Sequence, residues 1–420
     1  MLSNSTLRRV FFSVFFALFA LACAAPSFAA DSPTLLGSLG HKPKKQKSKA
    51  PSAPQPTDVI MFNNGDQLTG HFLREVGGSV VFHSDIVGDI TVPWSKIKSM
   101  QVSSQMAILD KTITPRRGQV PRHLPIGSLS VSDNLITVHT PNNAMIKPIP
   151  VTSAQYIVDT NTLNKQLYGH PGFFGAWNGA ITAGATVVEA TQKQYTFNGG
   201  VALNRTVPTL PWLDTINRTT IGFTGSFGKI IQPAYTSGGI LYPSTASKSA
   251  IYHADAERDE YFSPRFYALA QTSFDHNFGQ GLDLQQIYGA GIGNTVIKRP
   301  KQLLDVKVTF IQYEKQVFID ATSGINQNLI GSTFAGVYAL KLPRGVSLNQ
   351  QVAYIPAWNN LHAYSATENN TLGIPFYKNL SFSIGTIDSY LNNPAPAVPP
   401  TLRNSFQFNF GATYQIKSKY

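Results

Sequence analysis

The sequence runs to 420 residues, enough for one large domain or two to three small ones, and only 13% of it is charged, against roughly 25% in an average globular domain. A single cysteine excludes a small disulfide-stapled fold, and the net charge of +12 is gathered in a few stretches rather than spread along the chain. Glycine (33), tyrosine (17) and phenylalanine (26) are plentiful with no long apolar run after the N-terminus, a composition that suits alternating barrel strands, which give no hydropathy peak.

The one apolar run is at the start. Arg8 and Arg9 precede Val10 to Ala25, and Ser27-Phe28-Ala29 offers a small-x-small cleavage site, so residues 1–29 read as a secretory signal peptide. Ala20-Leu21-Ala22 is a poor match to a lipoprotein signal around Cys23, and ordinary cleavage removes that cysteine. Residues 30–57 are rich in lysine, proline and serine and cannot bury a core, so they read as a disordered basic tether. Its five lysines within 41–49 follow an export signal. That context points away from nucleic acid and toward an anionic membrane surface or the cell wall, although a solvated linker explains them more simply.

Structure is expected from Asp58. Short strands are predicted at Val59–Phe62, Leu68–Glu75, Ser79–His83, Asp89–Val92 and Ile97–Val102, with turns at Asn63-Asn64-Gly65-Asp66 and Gly77-Gly78. Gly70, Val81 and Pro93 are matched 57 positions later by Gly127, Val138 and Pro150, and Ile136 to Val158 repeats the strand, turn, strand, proline, strand order. Residues 58–165 therefore read as periplasmic β modules, two related units joined by the basic stretch Arg116-Arg117 to Arg122.

From Phe174 the pattern changes to longer strands with strict alternation. Tyr195, Phe197, Val201 and Leu203 oppose Thr196, Asn198, Ala202 and Asn204; Leu304, Val306, Val308 and Phe310 oppose Asp305, Lys307 and Thr309. Twelve strands are predicted, at roughly 174–188, 193–205, 217–230, 247–261, 265–275, 284–298, 302–315, 328–342, 346–356, 363–374, 378–388 and 403–417. Alternate connections are tight (Ser263-Pro264-Arg265, Arg299-Pro300-Lys301, Pro343-Arg344-Gly345, Tyr377-Lys378), while others are long (232–247, 317–327, 391–401). That sorting matches the periplasmic and extracellular ends of an outer-membrane barrel over residues 168–420, with 206–216 breaking the rule. In the last strand Phe406, Phe408, Phe410, Ala412, Tyr414 and Ile416 alternate with small or polar residues. This stretch resembles a barrel sorting signal, carried by Asn409, Gly411, Tyr414, Ile416 and the terminal Tyr420.

Tyr252 to Asn294, including Glu257-Arg258-Asp259-Glu260-Tyr261-Phe262-Ser263-Pro264-Arg265-Phe266-Tyr267 and Gly289-Ala290-Gly291-Ile292-Gly293, is similar to the salt-stress-induced outer-membrane proteins, a family of unknown biochemical function. The segments Asn64-Gly65-Asp66-Gln67-Leu68-Thr69-Gly70 and Gly88 to Ile97 resemble the module that members of this family often carry. The resemblance covers most of 58–420 and implies an outer-membrane barrel. It carries over no catalytic residues.

His253, Asp255, Glu257 and Asp259 share one parity, and if Tyr252, Ala254 and Ala256 face lipid, these four line the lumen with Asp305, Lys307 and Lys341. Three readings follow: a salt-bridged plug, a charged filter, or a hydrolase built on His253 and a carboxylate. No lipase or protease motif supports the third. The histidines are too scattered for a metal site, and Gly289-x-Gly291-x-Gly293 lies within a strand, where glycine marks close packing. The expected protein is thus all-β, a transmembrane up-and-down barrel of about twelve strands behind periplasmic modules, in the bacterial outer membrane. It is expected to be a narrow pore or structural envelope protein rather than an enzyme, needing no cofactor. Its expected partners are outer-membrane lipid, the barrel assembly machinery, and cell wall or a periplasmic protein, with an anchored interaction protein as the alternative.

Overall fold

The computed structural model describes residues 57–420 apart from 112–119, 122, 142–145, 170, 173, 190–192, 320–325, 395–402 and 419–420. The expected signal peptide, the tether up to residue 56, Arg116, Arg117, Arg122 and Tyr420 lie outside the described residues. No helix among the described residues is long and apolar enough to cross a membrane.

The N-terminal part is built from β1 (Asp58–Phe62), β2 (Gln67–Val76), β3 (Ser79–Ser84), β4 (Gly88–Pro93), β5 (Ile97–Asp110), β6 (Ile126–Ser132), β7 (Leu135–His139), β8 (Ile149–Pro150) and β9 (Ala154–Asp159). The turns expected at Gly65 and at Gly77-Gly78 form, with φ of 90°, 63° and 78°, values that favour glycine. The nine strands form one sheet in the order β4-β3-β2-β1-β5-β6-β7-β8, and β9 pairs with both β2 and β5. Strands β1, β2, β9 and β5 thus close a small ring.

The expected pair of separate modules is corrected here. The repeat is real in strand order, and Gly70 and Gly127 play the same part: a Cβ on either would run into a backbone carbonyl, of His83 and of His139 respectively. The halves nevertheless share one core, in which Ile60, Phe72, Phe82 and Met100 pack with Leu129, Val131, Ile136 and Ile157. The reason is β5, expected to stop at Val102. It runs on to Asp110, pairing with β1 over its first half, with β6 from Ser99 to Ala107 and with β9 from Met106 onward.

After β9, Asp159 caps a short helical turn by accepting from the Thr162 amide at 2.9 Å. The turn continues through Leu163–Leu167 and buries Leu163, Leu167 and Tyr168 with Ala107, Leu109, Tyr156 and Val158. The barrel strands follow: β10 (Trp177–Glu189), β11 (Lys193–Val207), β12 (Asn217–Gln232), then a loop hairpin of β13 (Tyr235–Ser237) and β14 (Ile240–Tyr242), then β15 (Thr245–Tyr261), β16 (Phe266–Asn277), β17 (Leu282–Arg299), β18 (Gln302–Phe318), β19 (Gln327–Lys341), β20 (Ser347–Ile355), β21 (Ser365–Tyr377), β22 (Leu380–Leu391) and β23 (Asn404–Ile416).

All twelve expected barrel strands form, each pairs antiparallel with its neighbour, and β23 pairs with β10 to close the barrel. The seam is short, joining Gly179–Ala183 to Ala412–Ile416, and is tied by a 2.9 Å hydrogen bond between the Thr182 and Thr413 hydroxyls. The outer face carries the large apolar side chains. Phe197, Phe223, Phe274, Ile292, Val306, Phe334, Phe382, Phe408 and Tyr414 are exposed although hydrophobic, while Ser383, Thr413 and Thr309 on the inner face are buried. A polar inside and an apolar aromatic outside is the pattern of a barrel solvated by lipid, because water outside would expel those rings into a core.

The four tight turns expected from the sequence lie at the end of the barrel nearest the module. The exception, the 206–216 link, now has a cause: it docks on the module. Leu213 is buried with Leu163, Leu167 and Tyr156, Leu210 and Trp212 pack at its edge, and the Tyr156 hydroxyl donates to Asp214 at 2.6 Å. The link is long because it makes an interface rather than a turn.

Candidate lumenal site

Strands β12, β15, β16 and β18 bring the charged lumenal residues together near the module end. Arg218 on β12 is the hub. Its Nε donates to Asp259 Oδ2 at 2.7 Å and its Nη1 to Asp305 Oδ2 at 2.6 Å. The guanidinium also lies over the rings of Tyr261 and Tyr267, at 5.9 and 5.3 Å from their centroids. Asp259 and Asp305 expose only 1% and 3% of their side chains, so each relies on Arg218 in place of water. One step along the same faces, Lys307 pairs with Glu257.

This crowding needs glycine on β17, the strand between β16 and β18, where Gly293 stands directly opposite Tyr267. Gly289, Gly291 and Gly293 all face the lumen from β17, and a Cβ on Gly293 would enter the Tyr267 ring. The glycine run is a packing device, as its position within a strand suggested.

Further from the module, His253 lies between two carboxylates. Its Nδ1 faces Asp275 at 2.6 Å and its Nε2 faces Asp255 at 3.3 Å. Both ring nitrogens are therefore engaged, and neither is turned to a hydroxyl or thiol that it could activate as a nucleophile. Beyond it, Glu314 accepts hydrogen bonds from the side-chain amides of Gln285 and Gln316. Among the described residues no group of three or more His, Cys, Asp or Glu side chains could hold a metal ion.

Of the expected cluster, His253, Asp255, Glu257, Asp259, Asp305 and Lys307 lie on lumenal faces. Lys341 does not join them: it has the lumenal parity but is the last residue of β19, exposed at the rim. Arg218, Asp275 and Glu314 complete the site and were not foreseen. The alternation in Thr220, Thr224 and Ser226 extends to Arg218, which the sequence already placed on the polar face. Glu314 was hidden by a bulge. Thr309 pairs with Thr333 and Gln312 with Gly331, so Phe310 and Ile311 together oppose Ser332 and both point outward. The lumenal parity of β18 switches there from odd to even.

The described residues of the expected assembly signal lie on and beside the closing seam. Asn409 and Gly411 face inward, Tyr414 and Ile416 outward, and a Cβ on Gly411 would meet the Ala183 carbonyl at 2.5 Å.

A family model described as a protein of unknown function, DUF481, matches residues 235–416. The match spans less than half of the chain. It begins at β13, ends with the last residue of β23, and leaves the module unmatched. No curated protein matches the chain. Among solved structures it is similar to an outer membrane channel from Pseudomonas putida F1, at 12% identity over 59% of this chain and 99% of that one, with a TM-score of 0.32. It is also similar to the transport unit of the autotransporter AIDA-I from Escherichia coli, at 12% identity over 62% and 96%, with a TM-score of 0.28. A Pseudomonas aeruginosa FadL homologue pairs at 10% identity over 86% and 85%, with a TM-score of 0.21. The strand pairing itself, rather than these distant likenesses, establishes the closed barrel.

Proposed function

We propose that this protein is an outer-membrane barrel that passes small cations through a narrow lumen, with its module on the periplasmic side. The observation that carries the reading is the sign of the lumenal charge. Between the rims, among the described residues, Asp255, Glu257, Asp259, Asp275, Asp305 and Glu314 face Arg218, His253 and Lys307, an excess of carboxylate even with His253 counted as a cation. A ring of fixed negative charge favours cations over anions. The charge network lies on β12 and β15–β18, and the rest of the wall carries inward polar groups, including Thr182, Asn198, Gln351 and Asn409, which offer hydrogen bonds. The tight turns at the module's end of the barrel support placing the module on the periplasmic side.

The test is the reversal potential of the full chain in a planar bilayer under a salt gradient. Steady cation-selective current, moved toward zero selectivity by Asp255→Asn with Asp275→Asn, supports the reading. A folded, inserted barrel without current would sink it. The resemblance to the salt-stress-induced proteins adds a role in osmotic or envelope stress, to be tested by growth of a deletion strain in raised salt. We infer no catalytic step.

A second reading is favoured by one feature of the module. The tip between β3 and β4 exposes Ile86 (91%) and Val87 (61%). Two aliphatic side chains held out on a hairpin suit contact with cell wall or a periplasmic protein, and the barrel would then serve as the anchor.

A further inference from the structure

The charges on the outer wall are unevenly paired. On β15 the outward residues run from Arg258 through Ala256, Ala254, Tyr252 and Ala250 to Lys248. At about 3.3 Å per residue and a tilt of about 40°, that stretch rises about 25 Å, the height of a barrel's apolar band. Arg258 and Lys248 therefore mark the two membrane surfaces. At the module surface the cations have protein partners: Arg258 pairs with Glu260, and Lys298 donates to the Pro264 carbonyl at 3.2 Å with Asp214 at 3.9 Å.

At the far surface Lys229 and Lys248 do not, among the described residues. Lys229 on β12 and Lys248 on β15 stand directly opposite each other. Neither has an acidic side chain within ion-pair distance among the described residues. Like charges in register repel. Lys193 on β11 lies next to the pair, two residues along from Tyr195, which is opposite Lys229. Immediately below the lysines the wall turns apolar, where Phe227 stands between Phe197 and Ala250.

We propose that this face of β11, β12 and β15 is a binding site for a phosphorylated lipid of the leaflet away from the module. Its phosphate would bridge the Lys229 and Lys248 ammonium groups, and its acyl chains would lie against Phe227 and Phe197. A dianionic phosphate supplies what the protein withholds, an anion between two in-register lysines at headgroup depth. This site is on the outside of the barrel and does not depend on the lumen conducting.

The experiment uses the full chain in phosphatidylcholine vesicles with and without phosphatidic acid, reading the midpoint of thermal unfolding. Phosphatidic acid should raise the midpoint, and Lys229→Gln with Lys248→Gln should lose at least half of that shift. In phosphatidylcholine alone this variant should be as stable as the parent or more so, because the repulsion is gone. Lys315→Gln, an outward lysine on β18, should keep the full shift, and Lys248→Gln alone serves if the double variant fails to fold. The proposal is overturned by an equal shift in the double variant, by no shift in the parent, or by the same shift from inorganic phosphate in neutral vesicles. It is also overturned if the lysines instead hold a second copy of the chain. Glu368 and Asp388, opposed on the outer face of β21 and β22, could supply that contact, and crosslinked dimers lost in the double variant would reveal it.

Discussion

Replacing Arg218 by methionine keeps the length of the side chain and removes the cation that is bonded, among the described residues, to both Asp259 and Asp305. Breaking a buried ion pair by removing one partner costs about 3–5 kcal/mol, because the remaining charge stays buried without compensation. Here one substitution strands two carboxylates and also removes the guanidinium from the Tyr261 and Tyr267 rings. The loss should therefore sit toward the upper part of that range. Arg218 is 14% exposed, so solvent screening does not erase the effect. The assay is guanidinium unfolding of the barrel in lipid vesicles, followed by amide exchange in β12 and β15. A variant that also carries Asp259→Asn and Asp305→Asn removes the stranded charges and should recover more than half of the loss. A loss below about 1 kcal/mol in the single variant, or a triple variant no better than the single one, would refute the reasoning that this cluster is a compensated buried network.

In the module, Glu75 is 0% exposed, and burial raises its carboxyl from 4.5 to about 7 against the pull of the Gly78 amide and Lys111. The folded state thus holds a proton that the unfolded state has released, so stability falls as pH rises from about 4.5 to 7, by on the order of 2–3 kcal/mol; Glu75→Gln should flatten that slope in amide exchange of β2 and β3. Leu213→Ala should cost about 2–4 kcal/mol of docking between link and module and speed proteolysis between Tyr168 and Trp177, whereas unchanged cleavage would show that the contact does not hold the two parts together. Gly293→Ala should displace Tyr267 and destabilise the barrel by about 1–3 kcal/mol, read as a lowered temperature at which the folded form is lost on a heated gel. Gly289→Ala, where the nearest neighbour is a Thr309 methyl at 3.1 Å, should cost less.

The barrel was legible in the sequence because its two faces meet different solvents. Lipid outside and polar side chains inside impose period two on every strand, and a period of two is visible in a line of letters. Phe406 to Ile416 shows it plainly, and the twelve strands were placed to within a few residues on the same signal. Turn lengths carried a second, independent sign, since apart from the 206–216 link the long connections all lie at one rim. The cluster on β15 could be read as lumenal for the same reason: parity assigns a face.

Parity does not assign neighbours. Arg218 and Asp305 lie 87 positions apart, and only closure of the sheet, with its stagger between strands, sets them 2.6 Å from each other. Nor does parity survive a bulge: one added residue at Phe310-Ile311 turned Glu314 inward and out of view. Lys341 had the right parity but the wrong height, because depth along the axis depends on where the turn falls. The module shows the same limit. Its repeat was visible, yet whether two repeats form two bodies or one depends on how far β5 continues and what it pairs with, which are contacts between distant residues. The docked link at 206–216 looked like an irregular turn until the surface it covers was in place, for burial of Leu213 is a property of two surfaces and is written in neither segment alone.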